Sequence, residues 1–467
     1  MKIAITGASG FVGQNLIASL AATKHKIIAL SRSPIENLPL NAEWRHCELF
    51  STTSTLEALK GADVVFYLVH SMMPSSRLFQ GNFRDTDLLI ADNISRSCMQ
   101  NNIKQIVYLG GIVPEGFISK HLQSRQEVEG VLQATKIPVT VFRSGMVVGQ
   151  GGSSFEILNS LVRKLPVMIL PSWTQSKTQA VYIDDVISIL KDSVSNKKYF
   201  HQTIDIVNGE KLTYRDLMRI MAEKLKVRRF MFPVPINSTG FSKLWVTWFG
   251  NSHYALVSPL IDSLVCDLPQ EKPLPLIQKF ISFKTFASML DEVLQKEIKP
   301  ISARPKRKIS HRKSVRSIQR LPSVPKRNSE WMAREYMNWL PKVFRSLILV
   351  DVEPSKDLVA FRIFFLKKPI LLLQYIHGNF EEDRQKFHII GGLLTRTSDT
   401  GWLEFRQVQN KKYSLTAIHE FVPSLPWYIY VITQAPMHYL VMNAFGRHIA
   451  EVNGNLDRNE IANLNTK

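Results

Sequence analysis

The sequence predicts two domains of different fold class: a doubly wound α/β domain with a parallel sheet, then an α+β domain with an antiparallel sheet and a C-terminal helix. Three observations support this prediction. The 467 residues exceed what one hydrophobic core usually serves. Up to residue 298, short apolar runs alternate with amphipathic helical runs, which is typical of parallel strands joined by crossover helices. Beyond residue 327, strand-like runs follow one another, as in an antiparallel meander.

The first strand, the loop after it and the next helix form the most informative motif of the chain. An apolar run ending at Ile5 continues into Thr6–Gly13, which contains three glycines, and a helical pattern follows. These glycines allow a sharp turn, close approach of backbone N–H groups to a pyrophosphate, and close packing of helix on strand. The positive end of the helix dipole then faces the anion. The alternative interpretation of this motif is an ordinary strand-to-helix turn whose glycines serve packing. The residues predicted to surround the phosphates are Gly7, Ser9, Gly10, Phe11, Val12 and Gly13.

The alternation of strand and helix patterns continues through the first domain. The predicted strands are Ile27–Leu30, Ala62–Leu68, Ile106–Leu109 and Val139–Phe142, and the predicted helices are Leu16–Thr23, Ser54–Leu59, Thr86–Gln100 and His121–Thr135. In open α/β sheets the ligand lies beyond the carboxyl ends of the strands. We therefore expect the functional residues to come directly after the strands.

The end of the second strand indicates which dinucleotide binds. Ser31 and Arg32 stand there, and no acidic residue occurs before Glu36. A cofactor with a free ribose hydroxyl usually meets an acidic residue at this point. Arg32 and Ser31 can instead bind a 2′-phosphate through a charge-assisted contact and a hydroxyl group. The sequence therefore favours NADP over NAD, with a surface arginine in a loop as the alternative.

Residues 1 to 290 resemble the short-chain dehydrogenase/reductase superfamily, in its atypical branch with an extended-type TGxxGxxG loop. Besides the loop, the similar segments are Glu48-Leu49, Arg143–Gly149, Val181–Val186, Leu212–Leu217 and Phe232–Pro235. The resemblance implies a Rossmann domain that binds a nicotinamide dinucleotide. It implies that Glu48 and Leu49, which stand where the family usually has Asp-Leu, lie near the adenine, and that the tip of the fourth strand lies near the nicotinamide. The further cofactor-binding residues expected on this basis are Leu68, Val69, His70 and Gly110.

The chain departs from this superfamily at the catalytic positions. Active members use a serine after the fifth strand and a Tyr-x-x-x-Lys pair on the next helix, where the ammonium lowers the pKa of the phenol. Here the fifth strand ends in Gly110 and Gly111, and no tyrosine occurs between Tyr108 and Tyr182. His121 and Arg125 stand where the pair is expected. Their spacing of four places them on one helix face.

Two interpretations of His121 and Arg125 stay open. In the first, Arg125 replaces the lysine as a donor to the nicotinamide ribose, and His121 acts as the general acid, held neutral near pH 7 by the guanidinium. In the second, the site is a catalytic relic and Arg125 only anchors the cofactor or a carboxylate. The missing serine favours the second, because it also removes polarisation of a substrate carbonyl.

A basic segment separates the two predicted domains. Residues 299–327 carry eleven Lys and Arg residues of a chain with net charge +20, several prolines and serines, and no Asp or Glu. We interpret this segment as a solvated linker between a domain at 1–298 and a domain at 328–455. Attraction to anionic lipid, and with it peripheral membrane association, is the alternative. No aromatic residue lies among the charges, so nucleic-acid binding is not expected.

The second domain resembles the helix-grip fold of START and polyketide-cyclase-like proteins, on pattern rather than motif. A helical start at Trp331–Trp339 is followed by the strand-like runs Leu347–Val352, Val359–Leu366, His388–Leu394, Trp402–Gln407 and Leu415–Val422. We expect a last strand from Trp427 to Thr433 and then a helix. Such a fold implies an apolar, lipid-like ligand.

The stretch Val422–Gly446 contains no formal charge and is long enough to cross a bilayer. We favour a strand and a helix that cover the sheet over a membrane-spanning segment, because three prolines and several polar residues lie within this stretch. Three widely spaced cysteines and a chain that starts on its first strand favour a reducing, cytoplasmic location.

Two functional hypotheses follow from the sequence. The first is an NADP-dependent oxidoreductase, or a related epimerase, acting on an apolar substrate. The second is a non-catalytic NADP-binding scaffold or redox sensor whose C-terminal domain binds a lipid-like ligand or a partner. Metal catalysis and nucleophilic hydrolysis have no supporting residue cluster in the sequence.

Overall fold

The computed structural model describes residues 1–71, 78–116, 118–235, 254–269, 271–295, 314–377, 383–396, 401–408 and 410–454. These residues divide into two compact units. Unit 1 contains residues 1–71 and the described residues from 90 to 295, and unit 2 contains residues 78–89 and the described residues from 314 to 454.

The regular elements before residue 296 alternate between strand and helix for most of their length. In chain order they are β1 (Lys2–Thr6), α1 (Phe11–Leu20), β2 (Lys26–Ser31), β3 (Ala42–His46), α2 (Thr52–Ala58), β4 (Val64–Tyr67), β5 (Leu78–Gln80), α3 (Phe83–Gln100), β6 (Gln105–Gly111), α4 (Lys120–Gln133), β7 (Val139–Ser144), β8 (Met146–Val148), α5 (Ser153–Lys164), β9 (Val167–Leu170), β10 (Lys177–Thr178), β11 (Ala180–Tyr182), α6 (Ile183–Asp192), β12 (Thr203–Ile206), β13 (Leu212–Thr213), α7 (Tyr214–Lys224), β14 (Phe230–Pro233), α8 (Tyr254–Ser263), α9 (Pro275–Gln278) and α10 (Phe286–Gln295).

After residue 313 the described chain is mostly strand. Its elements are β15 (Val315–Leu321), α11 (Ser329–Val343), β16 (Ile348–Glu353), β17 (Leu358–Ile363), β18 (Leu371–Tyr375), β19 (Arg384–Gly391), β20 (Trp402–Gln407), β21 (Ser414–Phe421), α12 (Trp427–Ile432) and α13 (Gln434–Val452).

Unit 1 is built on a seven-stranded parallel sheet in the order β12-β7-β6-β4-β1-β2-β3. Its central strands are continuous apolar runs because flanking helices exclude water from them. In β4 all four residues are buried, and in β1 only the first residue is exposed. The predicted doubly wound parallel sheet is therefore confirmed.

The strand order places a crevice at the carboxyl edge of this sheet. From β1 the chain adds β2 and β3 on one side, and β4, β6, β7 and β12 on the other. Connections that leave in opposite directions open a gap between the ends of β1 and β4, which is where ligands bind in such sheets. The glycine loop after β1 and the residues after β4 lie at this point.

Unit 2 contains an eight-stranded sheet in the order β16-β17-β18-β19-β20-β21-β15-β5. Neighbouring strands are antiparallel except β15 and β5, which run parallel. Helices α11 and α13 pack on one face, where the Tyr336 ring lies 5.6 Å from Phe405 of the sheet and 5.0 Å from Phe445 of α13. The predicted antiparallel sheet with a C-terminal helix is confirmed.

The structure differs from the sequence prediction in the interpreted linker and in the boundary it implied. Residues 299–313 lie outside the described part of the chain, but β15 forms a full strand of unit 2 within the segment 299–327. Its basic residues have acidic partners distant in sequence: Arg316 lies 2.8 Å from Glu420, and Arg320 lies 2.8 Å from Asp85. Residues 78–89 also belong to unit 2, because β5 pairs with β15.

Two further differences concern secondary structure in unit 2. Trp427–Ile432 is the helix α12 and not the strand that its aromatic, uncharged sequence predicted. The strand β18 was not predicted at all. The uncharged stretch Val422–Gly446 thus supplies two short helical segments, and none of the helices in the described residues has the length and apolarity needed to cross a membrane.

Candidate functional site

The glycine loop after β1 has the geometry that the sequence predicted. Gly7 has a left-handed backbone with φ of +71°, and a Cβ added to it would lie 2.9 Å from the carbonyl oxygen of Leu68. A Cβ on Gly13 would overlap the carbonyl oxygen of Gly7 and lie 2.9 Å from Cα of Ala8. The N–H of Gly10 donates to the carbonyl of Gly7 at 2.8 Å. The loop therefore folds back on itself in a way that only glycine permits.

The start of α1 is open to an anion. Gly10 stands at its N-cap in an extended conformation, and in this described segment no side chain caps the helix and no acidic residue lies in its first turn. Ser9 is exposed beside it, while Phe11 packs against Gly149 and Gly152. The uncapped N–H groups and the dipole of a ten-residue helix suit a diphosphate at this position.

The end of β4 lies directly against the loop. The hydroxyl of Thr6 donates to the carbonyl of Phe66 at 3.1 Å and accepts from the N–H of Leu68 at 3.3 Å. Leu68, Val69 and His70 therefore follow β4 at the crevice, as predicted from the resemblance. A cradle that a Cβ would fill, an uncapped helix start and an adjoining strand end together fit a dinucleotide.

The two residues predicted to contact a 2′-phosphate differ in their availability. The Ser31 hydroxyl donates to the carbonyl of Ser33 at 2.5 Å and accepts from the indole N–H of Trp44 at 3.0 Å, so its proton is already engaged. Arg32 is exposed and forms no ion pair with any residue the structure describes. The predicted contact of these two residues with a 2′-phosphate stays a prediction.

Glu48 and Leu49 form the turn after β3, at the same edge of the sheet. The N–H of Glu48 donates to the hydroxyl of Ser54 at 3.0 Å, and the carbonyl of Leu49 accepts from the side-chain amide of Asn93 at 2.8 Å. These contacts hold the turn in place. Their predicted role near the adenine stays a prediction.

Arg125 binds backbone carbonyls at the ends of two strands. Its guanidinium donates to the carbonyl of Val69 at 3.1 Å and to the carbonyl of Leu109, and it lies 4.9 Å from the centre of the Tyr108 ring. The residue is only 8% exposed. Arg125 thus ties the end of β4 to the end of β6, which is a structural contribution to the site.

The glycines at the end of β6 explain why no serine follows this strand. A Cβ on Gly110 would lie 3.1 Å from Oε1 of Glu129, and a Cβ on Gly111 would lie 2.8 Å from the side chain of Leu122. Helix α4 packs too closely on β6 to leave room for a side chain. The absence of the serine is therefore built into the packing of α4.

His121 belongs to a short chain of hydrogen bonds that the sequence did not reveal. Its Nδ1 lies 3.0 Å from Oγ of Ser263, which lies 2.8 Å from Oγ of Ser119. Ser119 caps α4 by accepting from the N–H of Leu122 at 3.2 Å. The ring of His70, from the end of β4, is 4.9 Å from the His121 ring. Two histidines and two hydroxyls thus meet at the carboxyl edge of the sheet.

A cavity of about 190 Å³ adjoins this cluster. Its walls are mostly apolar and come from strand ends and from α4, α5, α7 and α8. The described residues that line it are Gly111, Ile112, His121, Leu122, Ser144, Gly145, Met146, Ser154, Ile157, Leu158, Leu161, Trp173, Tyr214, Leu217, Met218, Leu260, Ile261, Ser263, Leu264 and Leu268. None of these carries a charge, apart from His121 when it is protonated.

Tyr214 is a polar group in this wall, but it does not replace the missing tyrosine. Burial raises the pKa of its phenol to about 12, against a hydrogen bond with Thr178 that lowers it. Proton exchange near neutrality needs a phenol whose pKa is lowered, as a neighbouring ammonium does. His121 is the group in the described wall whose ordinary pKa suits that role.

Comparison with known families agrees with this geometry. Residues 3–116, from β1 to just beyond β6, match the NAD dependent epimerase/dehydratase family. The matched segment contains the glycine loop and the ends of β4 and β6. This part of unit 1 is therefore similar to the nucleotide-binding domains of that family.

Two curated proteins resemble parts of this chain. The auxiliary protein GraX of Staphylococcus aureus is 24% identical over 112 residues, which make up 24% of this chain and 36% of GraX. UDP-glucose 4-epimerase of Vibrio cholerae is 21% identical over 296 residues, which make up 58% of this chain and 88% of that enzyme. This chain therefore spans little more than a third of GraX and most of the epimerase.

Solved structures share the fold of more than half of this chain. The triphenylmethane reductase of Citrobacter sp. aligns with a TM-score of 0.51 at 18% identity and covers 63% of this chain and 99% of the reductase. A further structure of that reductase, complexed with NADP(H), aligns with a TM-score of 0.50 over 63% of this chain and 100% of the reductase. At this level of identity the similarity shows the fold alone.

Proposed function

We propose that this protein is an NADP-dependent oxidoreductase that reduces a small, uncharged, apolar carbonyl compound, with His121 as its proton donor. The observation that carries the proposal is the position of His121: it lies in the wall of an apolar cavity at the sheet edge where the dinucleotide loop ends. A bound dinucleotide supplies the hydride for the substrate carbon. The chain supplies the pocket and the proton for the substrate oxygen.

His121 is held for this role by hydroxyl groups. Because Ser263 engages Nδ1, we assign proton exchange with the substrate oxygen to Nε2. The carbonyl π bond breaks as the hydride adds to carbon and the proton adds to oxygen, so the products are an alcohol and the oxidised dinucleotide. The imidazole then regains its proton from solvent.

Arg125 serves as a positioning residue in this proposal. By holding the carbonyls of Val69 and Leu109 it fixes the strand ends that carry His70 and the glycines facing α4. The ribose contact and the carboxylate anchor suggested by the sequence stay predictions for this residue. Its removal should loosen the edge of the site rather than remove a reacting group.

The size and polarity of the cavity support the substrate class. An apolar cavity of about 150 Å³ in another protein holds benzene, and this one measures about 190 Å³. A single ring or a short alkyl ketone therefore fits. A diphosphate would find no cationic partner among the described lining residues other than a protonated His121, and burying it there would cost several kcal/mol or more.

A non-catalytic NADP-binding scaffold is the second candidate. This candidate is favoured by the two hydrogen bonds that Arg125 donates to backbone carbonyls. Arg125 stands where active members of the superfamily have the lysine, and these bonds already engage its guanidinium. In this candidate, unit 2 binds an apolar, lipid-like ligand. The strand order of unit 2, in which the N-terminal strand β15 lies beside β21 and the sheet packs on the C-terminal helix, supports the helix-grip interpretation.

The two candidates are separated by titration and turnover on the full chain. NADPH and NADH are titrated by fluorescence, and NADPH oxidation is then followed with benzaldehyde, acetophenone and 2-heptanone. We expect turnover that His121→Ala reduces at least a hundredfold, with NADPH affinity unchanged. His377→Ala, an exposed histidine of unit 2, is the matched control. Unchanged turnover in His121→Ala would contradict the oxidoreductase proposal. Tight NADPH binding without NADPH oxidation in the presence of any of the three compounds would favour the scaffold.

The preference for NADP rests on Arg32. We expect NADPH to bind at least tenfold tighter than NADH, and Arg32→Ala to remove most of that difference, because a guanidinium contact to a phosphate is charge-assisted. Arg215→Ala, on helix α7, serves as the charge-matched control. Equal affinity for both nucleotides in the unaltered protein would contradict the prediction.

A further inference from the structure

The hairpin that joins β17 to β18 presents two phenylalanines to solvent. Phe364 and Phe365 are each 64% exposed, and their rings contact each other edge to face at 5.1 Å. The loop is held in place, since the N–H of Phe364 donates to the carbonyl of Leu347 at 3.1 Å and the N–H of Leu366 donates to the carbonyl of Ile363 at 2.8 Å. Exposure of two aromatic rings to water is unfavourable in free energy. A partner that covers both rings would remove this unfavourable contribution.

Two neighbouring loops of unit 2 add apolar side chains at the same end of the sheet. Leu347 follows α11 and is hydrogen-bonded to the hairpin, and Leu393 follows β19, where its N–H donates to the carbonyl of Pro369 at 3.0 Å. Both are exposed, as is Val343 at the end of α11. We call Val343, Leu347, Phe364, Phe365 and Leu393 the apolar tip.

Basic residues surround the apolar tip. The described residues of these loops, 341–347, 363–370 and 391–396, contain no Asp or Glu; the third loop continues to Asp399, which lies outside the described residues. Their exposed cations form no ion pair with any described residue. These cations are Lys342, Arg345, Lys367, Lys368 and Arg396.

The exposed apolar surface continues into the start of the C-terminal helices. The N–H of Ser424 donates to the carbonyl of Leu394 at 3.1 Å, which places the chain entering α12 beside the apolar tip. In that helix, Tyr428 is 71% exposed and Ile432 is 74% exposed. The segment from Val422 to Gly446 carries no formal charge that would oppose transfer of these side chains out of water.

We infer that the apolar tip docks on the surface of a membrane that contains anionic phospholipids. Exposed aromatic and aliphatic side chains enter the headgroup region, where their transfer from water is favourable. The lysines and arginines around them meet the negative surface potential, and each contributes attraction within a Debye length. An acidic protein would satisfy the cations, but the headgroup region satisfies the cations and takes up the exposed apolar side chains together.

Vesicle flotation of the full chain tests this inference. Vesicles of phosphatidylcholine with about 30% phosphatidylserine are compared with vesicles of phosphatidylcholine alone. We expect binding to the anionic vesicles that weakens when salt is raised from 0.1 M to 0.5 M, because exposed charges are screened. Lys367→Glu with Lys368→Glu should weaken partition at least about thirtyfold, from the attraction of each cation near an anionic leaflet. Phe364→Ser with Phe365→Ser should weaken it about tenfold.

Matched variants keep the test specific to the tip. Lys197→Glu with Lys198→Glu makes the same charge change at exposed positions of unit 1, and Phe230→Ser with Phe232→Ser removes two other exposed phenylalanines. Both should bind vesicles nearly as the unaltered protein does. Lys306→Gln, Arg307→Gln and Lys308→Gln together test whether the basic segment alone supplies the attraction.

Three results would overturn the inference. They are no binding of the unaltered protein to anionic vesicles, binding that the phenylalanine variants leave unchanged, and loss of binding only in the 306–308 variant. A dimer in solution that Phe364→Ser with Phe365→Ser dissociates, without vesicle binding, would show that a second copy covers the tip. Since vesicle binding does not depend on NADPH, its failure leaves the proposed function untouched.

Discussion

Two polar clusters, one half-buried in unit 1 and one fully buried in unit 2, differ in the charge that they contain. In unit 1 the cluster at the sheet edge consists of His121, Ser263 and Ser119, and a cavity lined by uncharged residues adjoins it. In unit 2 the carboxylate of Glu404 is fully buried, and it lies 2.7 Å from Arg384, 2.9 Å from Arg406 and 3.1 Å from His419.

The pKa values of the unit 2 cluster reflect this pairing. Burial by itself would raise the pKa of Glu404, but Arg384 and Arg406 outweigh it and hold that pKa well below its usual range. Burial lowers the pKa of His419 to about 4, against its hydrogen bond with Glu404. The ring of Trp402 stacks on His419 at 4.6 Å and completes its enclosure.

The comparison separates a cluster enclosed by its own charged partners from one that borders a cavity. A buried charge is tolerated when its partners surround it, and the Glu404 cluster has no adjoining cavity among those described in this chain. The His121 cluster borders a cavity, and in the proposed function its imidazole exchanges a proton with a substrate there. Substitutions in unit 2 should therefore change stability, and those in unit 1 should change binding and turnover.

The largest effect is expected from Glu404→Gln. This change leaves Arg384 and Arg406 buried without their carboxylate, and breaking such a cluster costs about 3–5 kcal/mol of unfolding free energy. Urea unfolding followed by tryptophan fluorescence measures the loss. Glu353→Gln, which removes an exposed pair with Lys356, should cost less than about 1 kcal/mol. A similar loss of unfolding free energy in both variants would contradict the distinction between the buried cluster and an exposed ion pair.

A smaller effect, confined to nucleotide binding, is expected from Gly13→Val. The added side chain overlaps the carbonyl of Gly7 and must displace the loop from the start of α1. We expect NADPH affinity to fall at least a hundredfold, or about 2.7 kcal/mol. Isothermal titration calorimetry measures it. Gly209→Ala strains the left-handed backbone of a different segment, where φ is +84° and a Cβ has open space, so it should leave NADPH affinity unchanged.

Acid should destabilise unit 2 through its buried histidines. Burial lowers the pKa of His438, as it does that of His419, to about 4 in the folded chain, against about 6.5 when unfolded. The unfolded state therefore binds more protons as the pH falls from 6.5 towards 4, so stability present near neutrality is lost in that window. We expect a loss of about 2 kcal/mol per histidine between pH 7 and pH 5, measured by urea unfolding at each pH.

The Glu404 carboxylate adds to the same trend at lower pH. Its pKa is also lower in the folded chain, so its contribution is lost below about pH 4.5, where the unfolded carboxylate takes up a proton. His438→Gln should roughly halve the change between pH 7 and pH 5, because His419 still contributes. Stability that is constant from pH 7 to pH 5 would show that these histidines are hydrated.

The smallest effect is expected from Ser263→Ala. Without the hydroxyl, Nδ1 of His121 loses the partner that orients the ring, so turnover should fall about fivefold to tenfold while KM stays constant. The pH dependence of kcat should also shift, which a merely structural loss would not cause. Ser263→Thr should restore both quantities, and Ser288→Ala on α10 should change neither. A change in KM alone would mean that Ser263 only shapes the cavity.

The parts of the fold that local sequence determines agree with the prediction. The glycine loop, the strand before it and the helix after it are neighbours in sequence, so the spacing of Gly7, Gly10 and Gly13 is enough to predict their geometry. The parallel sheet follows from alternating apolar and amphipathic runs for the same reason. Residues after β4 reach the crevice because sheet topology places all carboxyl ends on one edge.

Prediction from local sequence differs from the structure where contacts with residues distant in sequence determine the conformation. The basic residues of β15 resemble a solvated linker until Glu420 and Asp85 are seen beside Arg316 and Arg320. The aromatic run at Trp427–Ile432 resembles a strand, but it forms a helix, and none of the described strands pairs with it. Secondary structure at both places depends on contacts that no local pattern records.

The sequence by itself determined the glycine loop and the fold class of the two units. Only the tertiary structure brought Ser263 to His121 across 142 positions of sequence, gave Arg125 its two carbonyls and enclosed the cavity. The physical reason is that a glycine turn is specified by backbone sterics within a few residues. The partners of a buried imidazole or guanidinium are specified by whichever chain segments pack against it.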